Sequence, residues 1–166
     1  MDWETCRRYE VGASFMMQTE YVNAVRLLLQ VLPSVFDSGN LALKGGTAIN
    51  LYLDDMPRLS VDIDAVFLPL GLTHDEALVA INDEVNKIAE ISTGMGLRVL
   101  RSVAEDVNES QLLITNTSIQ VKVEINTVFR GSVLAPKLYT LSKIPSDIFE
   151  IDVPALLLDP TEIYAG

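Results

Sequence analysis

Cysteine and histidine are almost absent from this 166-residue sequence, which has one of each. The lone Cys6 rules out a disulfide bond within the chain, and the presence of only one histidine, His74, argues further against a structural zinc site. A single cysteine is also more often a plain buried or surface residue than a catalytic thiol. The chain is nevertheless long enough to bury a core as one domain without such cross-links.

Basic residues are scarce, because 12 lysines and arginines face 23 aspartates and glutamates, for a net charge of −11. General nucleic-acid binders need a basic surface to displace counterions from phosphates, so this balance argues against that class. A small basic cleft remains compatible with the composition.

Long apolar runs are also lacking, since no segment approaches the roughly 20 residues that a membrane-spanning helix needs. The amino terminus, MDWETCRRYE, does not have the charged-then-apolar layout of a signal peptide. We therefore expect a cytoplasmic protein with no membrane partner.

The first half of the chain shows helix and strand periods. Residues 14–36 carry apolar side chains at helical spacing, and Pro33 is expected to end or kink that helix. A short strand is predicted at residues 41–44, followed by two glycines and the helix-like TAINLYL, in which Thr47 is a candidate cap. Pro57 should stop this second helix.

The second half begins with a capping-box pattern, Thr73 and Glu76, which predicts a long helix from about His74 to Ser92. Three strand-like segments follow, GLRVLRSVAED, ESQLLITNT and SIQVKVEINTVF. From residue 136 onward the sequence predicts an irregular segment that ends in the start of a helix, with Asp159 or Thr161 as its cap.

An acidic pair lies in the strand-like SVDIDAVFL. Asp62 and Asp64 are two residues apart, so on a strand they project from the same face, with Cα atoms roughly 6.5 Å apart. Two carboxylates at this spacing suit Mg²⁺ or Mn²⁺, whose other ligands come from water and substrate phosphates. Glu124, on the polar side of a later strand, is the candidate third carboxylate of a two-metal site.

The glycine pair predicts a phosphate site before that strand. Gly45 and Gly46 would let a triphosphate approach the backbone, where the following helix start offers free amides, and Thr47 adds a hydroxyl. Lys44 or Arg58 would neutralise phosphate charge, and Ser60 would bind phosphate or orient a carboxylate.

Each motif alone also has a simpler explanation. A glycine pair after a strand is commonly a turn, and the spaced glycines of a Walker motif are absent. An Asp-x-Asp pair is commonly solvated, Glu124 would then be an exposed residue, and Lys44 and Arg58 would be surface cations. The order of the motifs, with 14 residues between Thr47 and Asp62, favours the functional interpretation.

KGGTAINLYL followed by RLSVDID resembles the AbiEii/AbiGii-type nucleotidyltransferase toxins of bacterial abortive-infection and type IV toxin–antitoxin systems. QVKVEIN lies where that family has its third acidic strand, and DPTEIYAG resembles the start of its next helix. The resemblance implies an α+β fold of the polymerase-beta-like nucleotidyltransferase type, a small mixed β-sheet flanked by helices. In the family a lysine, an arginine-bearing segment and a helical half follow. We therefore expect the 166 residues to be either a catalytic-core fragment or a truncated homologue with little activity.

The resemblance implies a magnesium-dependent enzyme that transfers a nucleoside monophosphate from a nucleoside triphosphate to an RNA, such as transfer RNA, or to a protein. Its site would consist of three carboxylates, Asp62, Asp64 and Glu124, as metal ligands, with Glu124 alternatively as base. The nucleotide would be held by Lys44, Gly45, Gly46, Thr47, Arg58 and Ser60.

The resemblance also implies a cognate antitoxin as partner. We expect one nucleotidyltransferase-like domain over residues 1–166, with N-terminal helices at 1–40, a catalytic core at 41–135 and an irregular tail at 136–166. Two alternatives stay open: a domain that binds nucleotide or a partner without turnover, and a solvated acidic face without any ligand.

Overall fold

The computed structural model describes the backbone of residues 3–54, 60–102 and 109–165, and the side chains of residues 19–54, 60–101 and 110–165. The strands are β1 Leu41–Lys44, β2 Asp62–Phe67, β3 Arg98–Ser102, β4 Glu109–Thr115, β5 Gln120–Asn126, β6 Lys137–Tyr139 and β7 Ala155–Leu157. The helices are α1 Trp3–Phe36, α2 Gly45–Ala48 with a π-helical continuation at Ile49–Leu53, α3 His74–Gly94, α4 Lys143–Phe149 and α5 Pro160–Ala165.

All seven described strands form one mixed sheet in the order β3-β4-β5-β2-β1-β7-β6. The β2–β5 and β1–β7 pairs are parallel, and the other neighbours are antiparallel. Strand β2 therefore lies in the middle, between β1 and β5. The expected α+β class with a mixed sheet and flanking helices is confirmed.

The core lies on the face of the sheet that α1 and α3 cover. Alternation in the strands turns one set of side chains to this face, and the helices contribute apolar residues at helical spacing. Fully buried examples are Leu43, Ile63 and Val123 in the strands, Leu28 and Leu32 in α1, and Ile81 and Ile88 in α3. Because the helices cover this face, the polar side chains of the central strands occupy the opposite one.

Two expectations for the local structure are confirmed. Strand β1 has the predicted bounds, and the Thr73–Glu76 capping box begins α3, with the Thr73 amide donating to Glu76 Oε2 at 2.8 Å. Of the two effects expected of Pro33, an end or a kink of the first helix, the end is contradicted, because the helix continues to Phe36. The buried Leu32 and Val35 on either side of Pro33 offset the one backbone donor that proline lacks.

The expectation of an irregular tail at residues 136–166 is wrong, because the segment contains β6, α4, β7 and α5. Strand β7 joins the sheet beside β1, where Leu157 pairs with Leu43. Asp159, and not Thr161, caps the last helix, since its Oδ1 accepts the Thr161 amide at 3.0 Å. Among the described helices, none has the length and apolar character needed to cross a membrane.

Candidate functional site

The two aspartates of β2 lie on the polar face of the sheet. Ile63 and Ala65 alternate with them and are fully buried in the core, which fixes Asp62 and Asp64 on the opposite side, where both are half-buried. The parallel pairing of β2 with β5 places Glu124 directly beside Asp64. The structure thus places the three carboxylates that the sequence singled out on one face of the sheet, with Asp64 and Glu124 in contact.

Asp64 and Glu124 interact directly. The pKa of Asp64 is raised to about 6, first by burial and then by the charge of Glu124 and a side-chain hydrogen bond between the two residues. Lys44 opposes this rise in the pKa, and the charge of Asp62 adds to it. The site therefore concentrates negative charge that a proton or a cation would stabilise.

Glu124 is also contacted by two residues that sequence reasoning missed. Gln111 Nε2 donates to Glu124 Oε1 at 2.7 Å, and Lys122 Nζ lies 3.0 Å from the same oxygen. The hydrogen bond to Glu124 raises the pKa of Lys122. Lys122 shares the polar face of β5 with Glu124, which was visible in the alternation, whereas Gln111 is placed only by the register of β4.

The glycine pair lies against the site. Gly45 has a φ of +71°, a conformation that residues with a side chain rarely adopt, and a Cβ there would lie 2.5 Å from Asp64 Oδ2. A Cβ at Gly46 would lie 2.9 Å from Ser60 Oγ. Both glycines therefore let side chains of the β2 region approach the start of α2.

Thr47 is fully buried and does not cap the helix, contrary to expectation. The helix begins at Gly45, so Thr47 is its third residue, and its hydroxyl donates to the backbone oxygen of Asp62. Ser60 Oγ lies 3.3 Å from the same hydroxyl. Thr47 thus ties α2 to the start of β2, and the N-cap residue Lys44 makes no side-chain hydrogen bond to the amides at the helix start.

The two candidate cations are placed differently. Lys44 ends β1, pairs with Asp64 across the two strands, and is half-buried. The positive charge of Lys44 lowers the pKa of Asp64 and so opposes the rise that burial and Glu124 cause. Arg58 lies outside the residues that the structure describes.

A divalent metal ion is the implied cofactor. Within the described ranges no three His, Cys, Asp or Glu side chains are arranged as a ready-made metal site. The donor chemistry nevertheless fits a hard divalent cation, because Asp62 and Asp64 share a face and the negative charge around Asp64 is only partly offset by Lys44.

Residues 26–166 match the family described as nucleotidyl transferase AbiEii toxin of type IV toxin–antitoxin systems. The chain belongs to this family. The resemblance carried by KGGTAINLYL and RLSVDID is thereby confirmed, and the match covers every carboxylate of the candidate site.

Among solved structures, the AbiEii-family chain is similar to MenT4, a nucleotidyltransferase toxin from Mycobacterium tuberculosis H37Rv, with a TM-score of 0.57 and 19% sequence identity. The match covers 90% of this chain and 56% of MenT4, so the chain spans little more than half the length of that protein. At this identity the likeness shows a shared fold. No curated protein sequence matches the chain.

Proposed function

We propose that this AbiEii-family chain is a toxin that transfers a nucleoside monophosphate from a nucleoside triphosphate to an RNA or protein acceptor. The observation that carries the proposal is the position of Asp64, whose carboxylate lies against Gly45 and beside Glu124 while Lys44 faces it. The groups proposed to bind metal and phosphate are adjacent there, as an in-line displacement at a phosphorus atom requires.

The triphosphate is proposed to lie at the start of α2. Gly45 and Gly46 carry no side chains, and the N-cap residue Lys44 makes no side-chain hydrogen bond to the helix amides, which suit phosphate oxygens. Lys44 supplies positive charge, and Arg58 is proposed to add to it. Ser60 and Thr47 hold the turn against β2 through their hydroxyl groups.

We propose that Asp62, Asp64 and Glu124 hold Mg²⁺ or Mn²⁺. The ion would supply a Lewis acid that polarises the α-phosphate and stabilises the leaving pyrophosphate. Two roles stay open for Glu124, metal ligand and acceptor of the proton from the attacking hydroxyl. Lys122 and Gln111 orient its carboxylate in either role.

The family places such a chain with a cognate antitoxin, and we propose the cytoplasm as its compartment. Transfer RNA is the proposed RNA acceptor, although the net charge of −11 requires that contact to be local, around cations such as Lys44. Residues 1–166 are proposed to act as one nucleotidyltransferase-like unit. The segment 1–40 contains the single helix α1 in its described part instead of the several helices expected, the catalytic core is proposed at 41–135, and residues 136–166 complete the sheet.

A second candidate is a domain that binds nucleotide or a partner without turnover. It is favoured by the contact between Lys122 and Glu124, which already supplies a positive charge to the third carboxylate, and by the lack of a ready-made three-ligand site in the described residues. Activity decides between the two candidates.

The decisive experiment incubates the chain with each α-labelled nucleoside triphosphate, Mg²⁺, and either total RNA or total protein as acceptor. Label should be incorporated by the wild type and lost, by about a hundredfold or more, in Asp64→Asn. Asp83→Asn, which changes an exposed aspartate of α3, is the matched control and should retain activity.

Triphosphate binding without any incorporation would favour the second candidate. Equal incorporation by the wild type and Asp64→Asn would contradict the proposed mechanism. Calorimetric titration of the same triphosphates, with Mg²⁺, separates these outcomes, because it measures binding without turnover.

A further inference from the structure

A pocket of about 340 Å³ lies beside Lys44, the residue that pairs with Asp64 across β1 and β2. Its lining includes Lys44, Leu70, Phe129, Arg130, Val133 and Glu162. Val66 also lines it and lies two residues beyond Asp64 on β2, so the two side chains project from the same face. The pocket and the proposed triphosphate site therefore share one surface.

Lys44 connects the two. Lys44 lines the pocket, and its charge also acts on Asp64, so this residue borders both places. Arg130 adds a second cation to the lining, and Glu162 adds a carboxylate whose oxygens accept the amides of Val133 and Leu134. The described lining therefore carries a net positive charge in a chain whose net charge is −11. Local positive charge in an acidic protein favours a ligand that carries phosphate.

The wall of the pocket is apolar and exposed. Leu70 is 73% exposed, Phe129 75% and Val133 90%. Single exposed apolar side chains are common, but several of them grouped around a concave surface indicate a binding site. An aromatic ring beside aliphatic groups and a few polar ones is the usual lining of a small-molecule pocket.

The loop that presents Phe129 is fixed at its start and at its end. Asn126 Oδ1 accepts the amides of Val128 and Phe129 at 2.9 and 2.8 Å, which turns the chain directly after β5. Glu162 in α5 accepts the amides of Val133 and Leu134 at 3.0 and 2.9 Å. The exposed side chains therefore stand on a backbone that is already held in place.

Gly131 fixes the middle of the same loop. Its amide donates to the Phe67 oxygen at 2.7 Å, which joins the loop to the end of β2. Its φ is +77°, and a Cβ there would lie 2.5 Å from Leu70 Cδ2. The close approach of Leu70 to a residue without a side chain brings the two apolar segments of the pocket together.

We propose that this pocket, the Phe129 pocket, binds the base and ribose of the nucleoside triphosphate, with the base stacked on Phe129. The inference rests on the proposed function, because it assumes that the triphosphate lies at the start of α2 beside Lys44. It adds the nucleoside-binding site that neither the carboxylates nor the glycine pair provides. Stacking on an aromatic ring would admit more than one base.

The test compares ligands with and without a nucleoside. ATP, GTP, CTP, UTP and inorganic tripolyphosphate are titrated calorimetrically, with Mg²⁺, into the 166-residue chain. Phe129→Ala should weaken binding of the preferred nucleoside triphosphate by about tenfold and leave tripolyphosphate unchanged. Leu70→Ser is the second variant and should act in the same direction, and both residues are exposed enough for the variants to fold.

Val128→Ala is the matched control, because Val128 is the exposed neighbour of Phe129 but does not line the pocket. It should bind every ligand as the wild type does. Equal nucleotide affinity in the wild type, Phe129→Ala and Leu70→Ser would overturn the nucleoside assignment. The proposed function would then still stand if Asp64→Asn abolished transfer.

If the wild-type chain bound neither tripolyphosphate nor any nucleoside triphosphate, this result would contradict both the proposed function and the assignment of the Phe129 pocket. A photoreactive azido-nucleotide gives a second readout, since it should label the segment 129–133. Labelling confined to other segments would overturn the assignment even if the affinities agreed.

Discussion

The carboxylate of Asp64 occupies the space that a side chain at Gly45 would need, because a Cβ there would lie 2.5 Å from Asp64 Oδ2. Gly45 also has a φ of +71°. Two constraints, backbone conformation and close approach, therefore act on one residue. Since only the close approach involves the candidate site, substitutions can separate them.

Gly45→Ala is expected to displace the Asp64 carboxylate and to abolish nucleotidyl transfer. The positive φ should in addition cost about 1–3 kcal/mol of stability. Urea unfolding measures the stability, and incorporation of labelled nucleotide measures the transfer. Retention of full activity in Gly45→Ala would contradict the proposed position of Asp64 in the site.

Gly39→Ala is the matched control, because Gly39 has nearly the same φ, +72°, and a Cβ there would have nothing within 4 Å. It should lose a similar amount of stability and keep its activity. A loss of activity in this variant would show that strain alone explains the effect at Gly45.

Local patterns determined the elements that the sequence predicted well. The alternation of SVDIDAVFL depends only on residues within one strand, so it placed Asp62 and Asp64 on one face. The capping box of α3 likewise depends on Thr73 and its near neighbour Glu76. The alternation in β5 placed Glu124 on the polar face of that strand, and the parallel pairing of β2 with β5 puts it beside Asp64.

Features that depend on distant residues could not be predicted in this way. Strand β7 is a short apolar segment between prolines, and only its parallel pairing with β1 makes it part of the sheet. The register of β4 against β5 brings Gln111 to Glu124, and a shift by one residue would turn Gln111 to the other face. The hydrogen bond from Thr47 to the Asp62 oxygen depends on the packing of α2 against β2. Because the sequence does not show this packing, it indicated only a phosphate-binding role for the Thr47 hydroxyl.

Thr47→Val tests whether the threonine is structural. The substitution keeps the buried shape and removes the hydroxyl that donates to the Asp62 oxygen, so we expect a loss of about 1–3 kcal/mol in the free energy of unfolding. Thr47→Ser keeps the hydroxyl and should lose less. If Thr47→Val instead weakened triphosphate binding without a change in stability, the hydroxyl would be a ligand group and the structural role would be wrong.

Lys122→Met tests the support of Glu124. Removal of the ammonium group that lies 3.0 Å from Glu124 Oε1 should lower activity by about 10–100-fold, because groups that orient a catalytic carboxylate typically have effects of this size. The loss should fall on kcat more than on KM for the triphosphate. Initial rates over a range of triphosphate concentrations separate the two constants.

Lys87→Met is the control for that variant, since Lys87 and Glu84 form a comparable pair at 3.2 Å on α3. It should leave the rates unchanged. Equal losses in Lys87→Met and Lys122→Met would indicate a general charge effect and would contradict a specific role for Lys122.

The raised pKa of Asp64 predicts a pH dependence of stability in metal-free protein. The folded pKa is about 6, against an ordinary value of 3.8, so between these pH values the folded state binds more protons than the unfolded chain. The stabilising contribution of this proton is fully present below pH 3.8 and is lost as the pH rises through about 6. The free energy of unfolding of the wild type should therefore fall relative to that of Asp64→Asn between these pH values, as urea unfolding with EDTA would measure.

Addition of Mg²⁺ should reduce this fall in stability at neutral pH in the wild type, because a bound cation offsets the negative charge of ionised Asp64. Asp64→Asn lacks that carboxylate and should respond less to the metal. Asp83→Asn, with its substitution at an exposed site of α3, should follow the wild type in both buffers. Parallel pH profiles for the wild type and Asp64→Asn would contradict the raised pKa, and an equal response of both proteins to Mg²⁺ would place the metal elsewhere.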